Sequence, residues 1–368
     1  MAQAESFIEQ KLIEQLTSGI SQWTYRQDLN TEEKLWDNIR TKLNNANVSA
    51  LNGHEITDQE MERIKDFIKT QGESAYKAAI WLSGENGLVQ IPLKRDDVTQ
   101  DVVYLEALNQ KDIAGGHSTY EVINQCILFK TDKDGRDTRF DVTLLINGFP
   151  LIHIELKNQN HSYFEAFNQI KRYTGEGKFR GLFGLVQMFV ISNGTETKYF
   201  SAAPFDKLSD RFLFSWVDKN NNPVDNYLEF AKEVLKIPTA HEMIGRYAIT
   251  DTDAKRLILL RPYQIHAIEA VKDASKRKES GYIWHTTGSG KTITSYNVAR
   301  NLYENNDIEK TIFLIDRKDL DQQTTLSFLS YAKSTGDKIE ETENTRALEQ
   351  ILRNKERTVV VATRQKLD

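Results

Sequence analysis

The apolar positions of this chain fall first into a helical rhythm. Over residues 5–17, Phe7, Leu12, Ile13 and Leu16 share one side and predict an amphipathic helix. The same spacing predicts helices over 32–45, 58–69 and 73–82. The one at 58–69 opens with a capping box, Thr57 as cap and Glu60 three residues on. The pattern then changes to short runs rich in Val, Ile, Tyr and Phe at 102–107, 119–129, 138–146 and 149–157, which predict strands. A helical stretch at 163–174 and strands near 186–192 and 197–201 complete one mixed α/β domain ending near residue 245. From Arg261 onward helix (263–275), strand (281–284), helix (291–304) and strands (311–316 and 358–362) follow one another, the order of a parallel sheet covered by helices.

Composition narrows the class. A chain of 368 residues suits two or three domains, and 39% hydrophobic residues is enough to build their cores. Cys126 stands alone, so no internal disulfide is possible and a reducing, cytoplasmic setting is expected. No apolar run approaches the roughly 18 residues of a spanning helix, so no membrane association is expected. The acidic, amphipathic stretch Met1–Leu16 is not a signal peptide. The net charge of -5 neither demands nor forbids nucleic acid. Charge is unevenly placed, however: from Lys255 to Arg300 nine Lys/Arg face three acids, which fits either a solvated helix face or a nucleic-acid surface.

Chemistry enters at the 138–157 hairpin. Its second strand alternates strictly, with Ile152, Ile154 and Leu156 on one face and His153, Glu155 and Lys157 on the other. Three ionisable groups beside an apolar hairpin are costly unless a metal or substrate balances them. Asp141 and Glu155 together suit a hard divalent cation such as Mg²⁺. Such an ion steadies an attacking water and the charge on a scissile phosphate, while Lys157 neutralises or orients the nucleophile. Register decides whether these groups meet. A two-residue Asn147-Gly148 loop pairs Asp141 with Ile154 and turns it away from Glu155. A three-residue loop pairs Leu145 with Phe149 and Asp141 with His153, gathering Asp141, Glu155 and Lys157. The expectation is therefore the three-residue loop, a type I turn with Gly148 left-handed.

An Asp, a spacer and Glu-x-Lys on a hairpin resembles the PD-(D/E)xK nuclease pattern. The following Gln169-Ile-Lys-Arg-Tyr173 is similar to the Gln-x3-Tyr extension of the motor (restriction) subunits of type I restriction-modification enzymes. Gln169 and Tyr173 lie four apart and share a helix face. The resemblance implies catalytic roles for Asp141, Glu155, Lys157, Gln169 and Tyr173, with Asp141 and Glu155 as metal ligands. It also implies an acid on the first helix, Glu9, with Glu5 close behind. Phe140 stands where the pattern's name has proline, and His153 is expected to be a polar neighbour of the site, not a ligand.

Between the strand expected at 281–284 and the helix from 291, His285-Thr286-Thr287-Gly288-Ser289-Gly290-Lys291-Thr292 has the form of a phosphate-binding loop. Its glycines let backbone N–H groups approach phosphates, and the helix N-terminus adds its positive end. Lys291 would reach the β and γ phosphates of ATP and Thr292 would hold Mg²⁺, with Thr286, Thr287, Gly288, Ser289 and Gly290 completing the cradle. His285 replaces the usual first glycine. Upstream, Leu260-Arg261-Pro262-Tyr263-Gln264 resembles the adenine-reading Q motif of superfamily 2 helicases, with Gln264 able to bond both edges of the base. Phe313–Leu320 is similar to motif Ia and Val361–Leu367 to motif Ib of that family.

From end to end the chain therefore resembles the N-terminal portion of a type I restriction subunit. The implied fold is α/β: a PD-(D/E)xK restriction-endonuclease-like mixed-sheet domain over 1–248, then a partial RecA-like parallel-sheet helicase lobe over 249–368, with a soft boundary at 245–258. The implied function is Mg²⁺-dependent cleavage of duplex DNA, coupled in the full protein to ATP-driven translocation. Methyltransferase and specificity subunits are the implied partners. Two other readings are a stand-alone ATP-dependent nuclease or repair helicase, and a non-catalytic DNA-binding assembly module. A helicase would continue past Asp368 to an Asp-Glu-x-His box and a second lobe. The chain is thus expected to be a truncated portion that binds ATP without sustaining hydrolysis.

Overall fold

In a computed structural model, which describes residues 4–96, 102–110, 113–128, 138–303, 308–315, 318–341, 345–354 and 356–363, the chain forms two compact units. One comprises Met1–Ala248 with Arg256–Leu259, the other Ile249–Lys255 with Leu260–Asp368.

The first unit begins with helix α1 (Glu5–Thr17), whose buried stripe is Ile8, Glu9, Leu12, Ile13 and Leu16. Phe7, expected on that stripe, is 42% exposed with Lys11 over its ring. The i, i+4 series 8, 12 and 16 rotates the helix so that Ile8 takes the core position and Glu9 is drawn inward beside it. Strand β1 (Thr24–Tyr25) and helices α2 (Glu32–Ala46), α3 (Asp58–Gln71) and α4 (Ala75–Ser83) follow. Both halves of the capping box form at α3: Thr57 accepts from the Glu60 N–H, and Glu60 accepts from the Thr57 N–H.

Strands β2 (Leu88–Lys94) and β3 (Val102–Asn109) make an antiparallel pair of their own. The sequence pattern misses β2 because Pro92 argues against a strand interior. In a two-stranded pair each strand has a free edge that tolerates the missing donor.

The main sheet takes β4 (Tyr120–Leu128), β5 (Thr138–Ile146), β6 (Phe149–Leu156), β7 (Met188–Ser192) and β8 (Thr197–Ser201). Its order is β1-β4-β5-β6-β7-β8. β1 runs parallel to β4 and β6 parallel to β7, while the other neighbours are antiparallel, so the sheet is mixed. Helix α5 (Tyr163–Gly175) is the crossover that the parallel β6–β7 pair requires. All eight residues of β6 are buried, so its ionisable face is covered, not solvated. The first unit also holds α6 (Tyr227–Phe230), α7 (Thr239–Gly245) and β10 (Arg256–Leu259), while β9 (Ala248–Asp251) falls in the second unit from Ile249 on; the apolar pattern announces none of the four.

The second unit contains α8 (Pro262–Lys276), α9 (Lys291–Tyr303), β11 (Lys310–Ile315), α10 (Lys318–Ala332), β12 (Ile339–Glu341), α11 (Thr345–Arg353) and β13 (Thr358–Thr363). Its sheet is parallel in the order β11-β13-β12. The central β13 is buried throughout, as a parallel strand covered on both faces should be. The strand expected at 281–284 does not form: the backbone there is in no ladder, and Tyr282 and Trp284 are 91% and 87% exposed. An apolar run becomes a strand only where a neighbouring edge accepts its hydrogen bonds, and among the described strands none pairs with it. Asp316 and Arg317 of the motif Ia resemblance, and Arg364–Leu367 of motif Ib, lie outside the described residues.

Candidate active site

The β5–β6 hairpin sets the geometry. Asn147 and Gly148 both have positive φ (52° and 83°), and Ile146 pairs directly with Phe149. The turn is therefore the two-residue loop with both central residues left-handed, not the expected three-residue one, although Gly148 is left-handed as foreseen. Asn147 favours this turn because its carboxamide accepts from the Thr119 N–H (2.8 Å) and donates to the Ala107 carbonyl (3.0 Å). A register shift between Leu144 and Leu145 then restores the parity: Leu145 pairs with Pro150, but Leu144 pairs with Ile152, leaving Leu151 as an extra residue on β6. Beyond it Val142 pairs with Ile154, so Asp141 falls opposite Glu155.

The carboxyls of Asp141 and Glu155 lie within hydrogen-bonding reach of each other. Asp141 also accepts from the Leu156 N–H at 2.9 Å. Lys157 Nζ stands 3.5 Å from Glu155 Oε1 and donates to the Leu156 carbonyl at 3.0 Å. Burial, then the charge of Glu155, pushes the Asp141 carboxyl up to about 7. Burial likewise pushes Glu155 up to about 7, against the opposing pull of Lys157.

His153 is fully buried beneath the pair, among Phe140, Phe179 and Phe189. Burial pushes its imidazole down to about 4, so the ring is neutral near pH 7. The Thr143 hydroxyl bonds its Nδ1 (3.1 Å), and its Nε2 stands 3.3 Å from Glu155 Oε2. With Nε2 protonated the ring donates to Glu155, a polar neighbour and not a free ligand.

Helix α1 brings Glu9 and Glu5 near. Glu9 is buried, repelled by Asp141, and accepts from the carboxamides of Asn124 and Gln125. Burial is the largest influence on its carboxyl and raises it. The charge of Glu5 is felt at Glu155. From α5, Tyr173 packs against Phe140 with ring centres 5.9 Å apart, and its phenol is raised by burial and then by Glu155. Gln169 donates to the Tyr173 hydroxyl at 3.2 Å. The Lys178 ammonium lies 4.7 Å from the Tyr173 ring centre and 2.8 Å from a Glu176 carboxylate oxygen, a cation–π contact whose charge is already paired.

Asp141 and Glu155 are suited to Mg²⁺, which keeps several waters and is held by one or two carboxylates. Two buried carboxyls this close repel each other when both are ionised, and that excess of negative charge is what a divalent ion would offset. Among the described residues no three His, Cys, Asp or Glu side chains form a full metal cage.

In the second unit the loop 286–290 leads into α9. Gly288 and Gly290 have φ of 77° and 79°. A Cβ on Gly290 would stand 2.7 Å from Gln264 Nε2, so this glycine admits the close approach of α8. The Lys291 ammonium and the Ser289 hydroxyl both donate to the Thr286 carbonyl at 2.8 Å, folding the loop into a closed ring. Thr287 sits at the loop's exposed crown, and Thr292 in the first turn of α9. Gln264 is buried: its Oε1 accepts from the Arg261 N–H (2.9 Å) and its Nε2 donates to the Ser289 carbonyl (3.2 Å). Its amide thus holds the loop to α8, and Tyr263 joins it with a 2.8 Å bond from its hydroxyl to Ser289. Arg261 lies exposed at the start of α8.

Comparison with known proteins agrees with both units. The type I restriction enzyme R protein N-terminus family matches residues 2–204. The chain belongs to the type I restriction enzyme endonuclease subunits. The type III restriction enzyme res subunit family, helicase-like in character, matches residues 257–368. Among relatives, the type I restriction enzyme SauMSSORF170P endonuclease subunit of Staphylococcus aureus is 39% identical over 99% of this chain and 37% of its own length. The EcoprrI endonuclease subunit of Escherichia coli is 31% identical over 73% of this chain and 81% of its own. The chain thus spans little more than a third of the length of the Staphylococcus relatives it matches.

Sequence reasoning about this type I restriction subunit passed over three residues that the structure adds to the site. Asn124 and Gln125 hold Glu9, and Thr143 holds His153. A signal was present for the first two: adjacent carboxamides interrupt the apolar run Val122-Ile123-Asn124-Gln125-Cys126-Ile127. Thr143 gave none, since threonine is at home in any strand.

Proposed function

We propose that the first unit, taken as the domain over residues 1–248, is a Mg²⁺-dependent endonuclease that hydrolyses phosphodiester bonds of duplex DNA. The observation that carries this reading is the meeting of Asp141, Glu155 and Lys157 on one buried strand pair, with Glu9 facing Asp141. Asp141 and Glu155 would hold the metal. When bound, Mg²⁺ supplies positive charge to the attacking water and the scissile phosphate. Lys157 stands beside Glu155, placed to orient the nucleophile or neutralise developing charge. His153 fixes the Glu155 carboxylate from below, and the Phe140–Phe179–Phe189 wall keeps water from that side. Gln169 and Tyr173 brace each other on α5.

The second unit, taken over residues 249–368, is proposed to bind ATP through Thr286–Thr292, with Gln264 and Arg261 setting the loop. In the whole protein this lobe would couple hydrolysis to translocation of DNA. The restriction subunit would act in the cytoplasm with methyltransferase and specificity subunits, since no residue described above reads a base.

Crystals soaked with Mn²⁺ as a stand-in for Mg²⁺ test the nuclease reading by anomalous scattering. A peak between Asp141 and Glu155, lost in Asp141→Ala, is expected. No peak, together with DNA binding that is metal-independent and unchanged in Asp141→Ala, would replace it with a non-catalytic DNA-binding module.

A further inference from the structure

We infer that Asn124 and Gln125 are positioning residues that hold the Glu9 carboxylate against Asp141. This rests on the nuclease reading and extends it to a part of the site that carries none of the motif residues.

Successive side chains of a regular strand point to opposite faces. Asn124 and Gln125 are successive, yet both carboxamides donate to the same carboxylate: Asn124 Nδ2 to Glu9 Oε1, and Gln125 Nε2 to Glu9 Oε2 at 2.7 Å. The backbone explains how. Gln125 has φ of 51°, left-handed in the middle of β4. The ladder to β5 pairs Asn124 with Val142 and Cys126 with Phe140, omitting the rung at Gln125, which falls opposite Asp141. A left-handed residue other than glycine, asparagine or aspartate is uncommon and strained. Such strain persists where the surroundings over-determine it, and it clusters at functional sites.

The strain here converts two neighbours of opposite face into a two-donor clamp. Asn124 is fixed in turn: its Oδ1 accepts from the Tyr25 hydroxyl at 2.8 Å, which leaves Nδ2 as the end that faces Glu9. Each oxygen of Glu9 therefore has one assigned donor, and the carboxylate cannot rotate away from Asp141 without losing both. Partners of this kind around a metal site typically change metal affinity 10–100-fold when removed.

Glycine separates the backbone from the side chain at this position. Gln125→Gly tolerates φ of 51° with less strain and removes only the donor. The 368-residue chain should therefore melt at or above the parent temperature, yet bind Mn²⁺ about tenfold more weakly by titration calorimetry. In a Glu9→Gln background the same Gln125→Gly change should have no further effect on Mn²⁺ affinity, because the clamp acts only through Glu9. Unchanged affinity in Gln125→Gly, or an equal loss with and without the Glu9 carboxylate, would overturn the inference while leaving the nuclease reading intact. Retention of Mn²⁺ affinity in Asp141→Ala would instead remove the nuclease reading itself, and the positioning role with it.

Discussion

Replacing Glu155 by glutamine should make the metal-free protein more stable, although it removes a metal ligand. Glu155 is fully buried, and burial pushes its carboxyl up to about 7 from 4.5. A raised acid means that the folded chain keeps a proton the unfolded chain has released. Between about pH 4.5 and 7 the folded state therefore binds more protons, stability falls as pH rises through that window, and it levels off above it. At pH 8 the ionised Glu155 costs ~3 kcal/mol relative to the unfolded chain. Asp141, raised to about 7 partly by Glu155 itself, shares that penalty, so the gain on neutralising one partner is roughly 1–3 kcal/mol. Glutamine keeps one oxygen to accept from Lys157, and its amide N–H can donate to His153 Nε2 once the imidazole carries its proton on Nδ1 and donates to Thr143, so no buried donor is orphaned. For a unit of this size each kcal/mol moves the midpoint by about 2–4 °C. Differential scanning calorimetry at pH 8 in chelator should show the first unit of Glu155→Gln melting a few degrees above the parent, with the excess gone at pH 5. Millimolar Mg²⁺ should then raise the parent and leave the variant unmoved. A variant that melts below the parent in chelator at pH 8 would refute the reasoning, since it would mean the carboxylate stabilises the fold without a cation.

Three other perturbations test separate links. Gly290→Ala places a methyl 2.7 Å from Gln264 Nε2 at φ of 79°. It should cost about 1–2 kcal/mol and abolish binding of a fluorescent ATP analogue, measured by anisotropy. Thr57→Ala removes one half of the α3 capping box and should destabilise the first unit by ~1 kcal/mol in urea titration, with Mn²⁺ affinity unchanged. Gly148→Ala sets a side chain at φ of 83°, 3.1 Å from Ile39, and should lower both the first unit's melting point and its Mn²⁺ affinity, because the turn it distorts also fixes the register of Asp141.

Much of the architecture was legible where a single periodicity ran long enough. The helices at α2, α3 and α5 and the strands β5 and β6 lie within a residue or two of where the apolar spacing placed them. The gaps have physical causes. β2 contains Pro92, and β1 has only two residues. The run 281–284 has the composition of a strand but, among the described residues, no edge to pair with. Phe7 and Ile8 both fit an apolar stripe, and only packing decides that Ile8 goes in. Of the site, the motif residues were legible because their chemistry is rare on an apolar strand. Gln264 was expected to bond both edges of an adenine base, whereas in this structure its amide bonds loop backbone, a contact that no spacing announces.

The carboxylates meet because two irregularities correct what regular strands would do. With the two-residue Asn147-Gly148 turn and an unbroken ladder, Asp141 would oppose Ile154 and the site would be split between two faces. Leu151 supplies one extra residue on β6, and every position beyond it changes parity. That bulge is compatible with the binary pattern on both sides, Ile152-Ile154-Leu156 and Phe149-Leu151 both being apolar, which is why the pattern alone could not locate it. On the other flank of β5, the left-handed Gln125 sits opposite Asp141 and gives up a rung of the ladder, so that two adjacent amides reach Glu9. Asp141 itself takes the Leu156 N–H. The sheet is thus irregular on both flanks of Asp141. A regular three-stranded ladder would be more stable but would set Asp141, Glu155 and the donors to Glu9 on different faces. The departures from ideal pairing flank one residue, and they are what set Asp141 opposite Glu155 and turn two adjacent amides to Glu9.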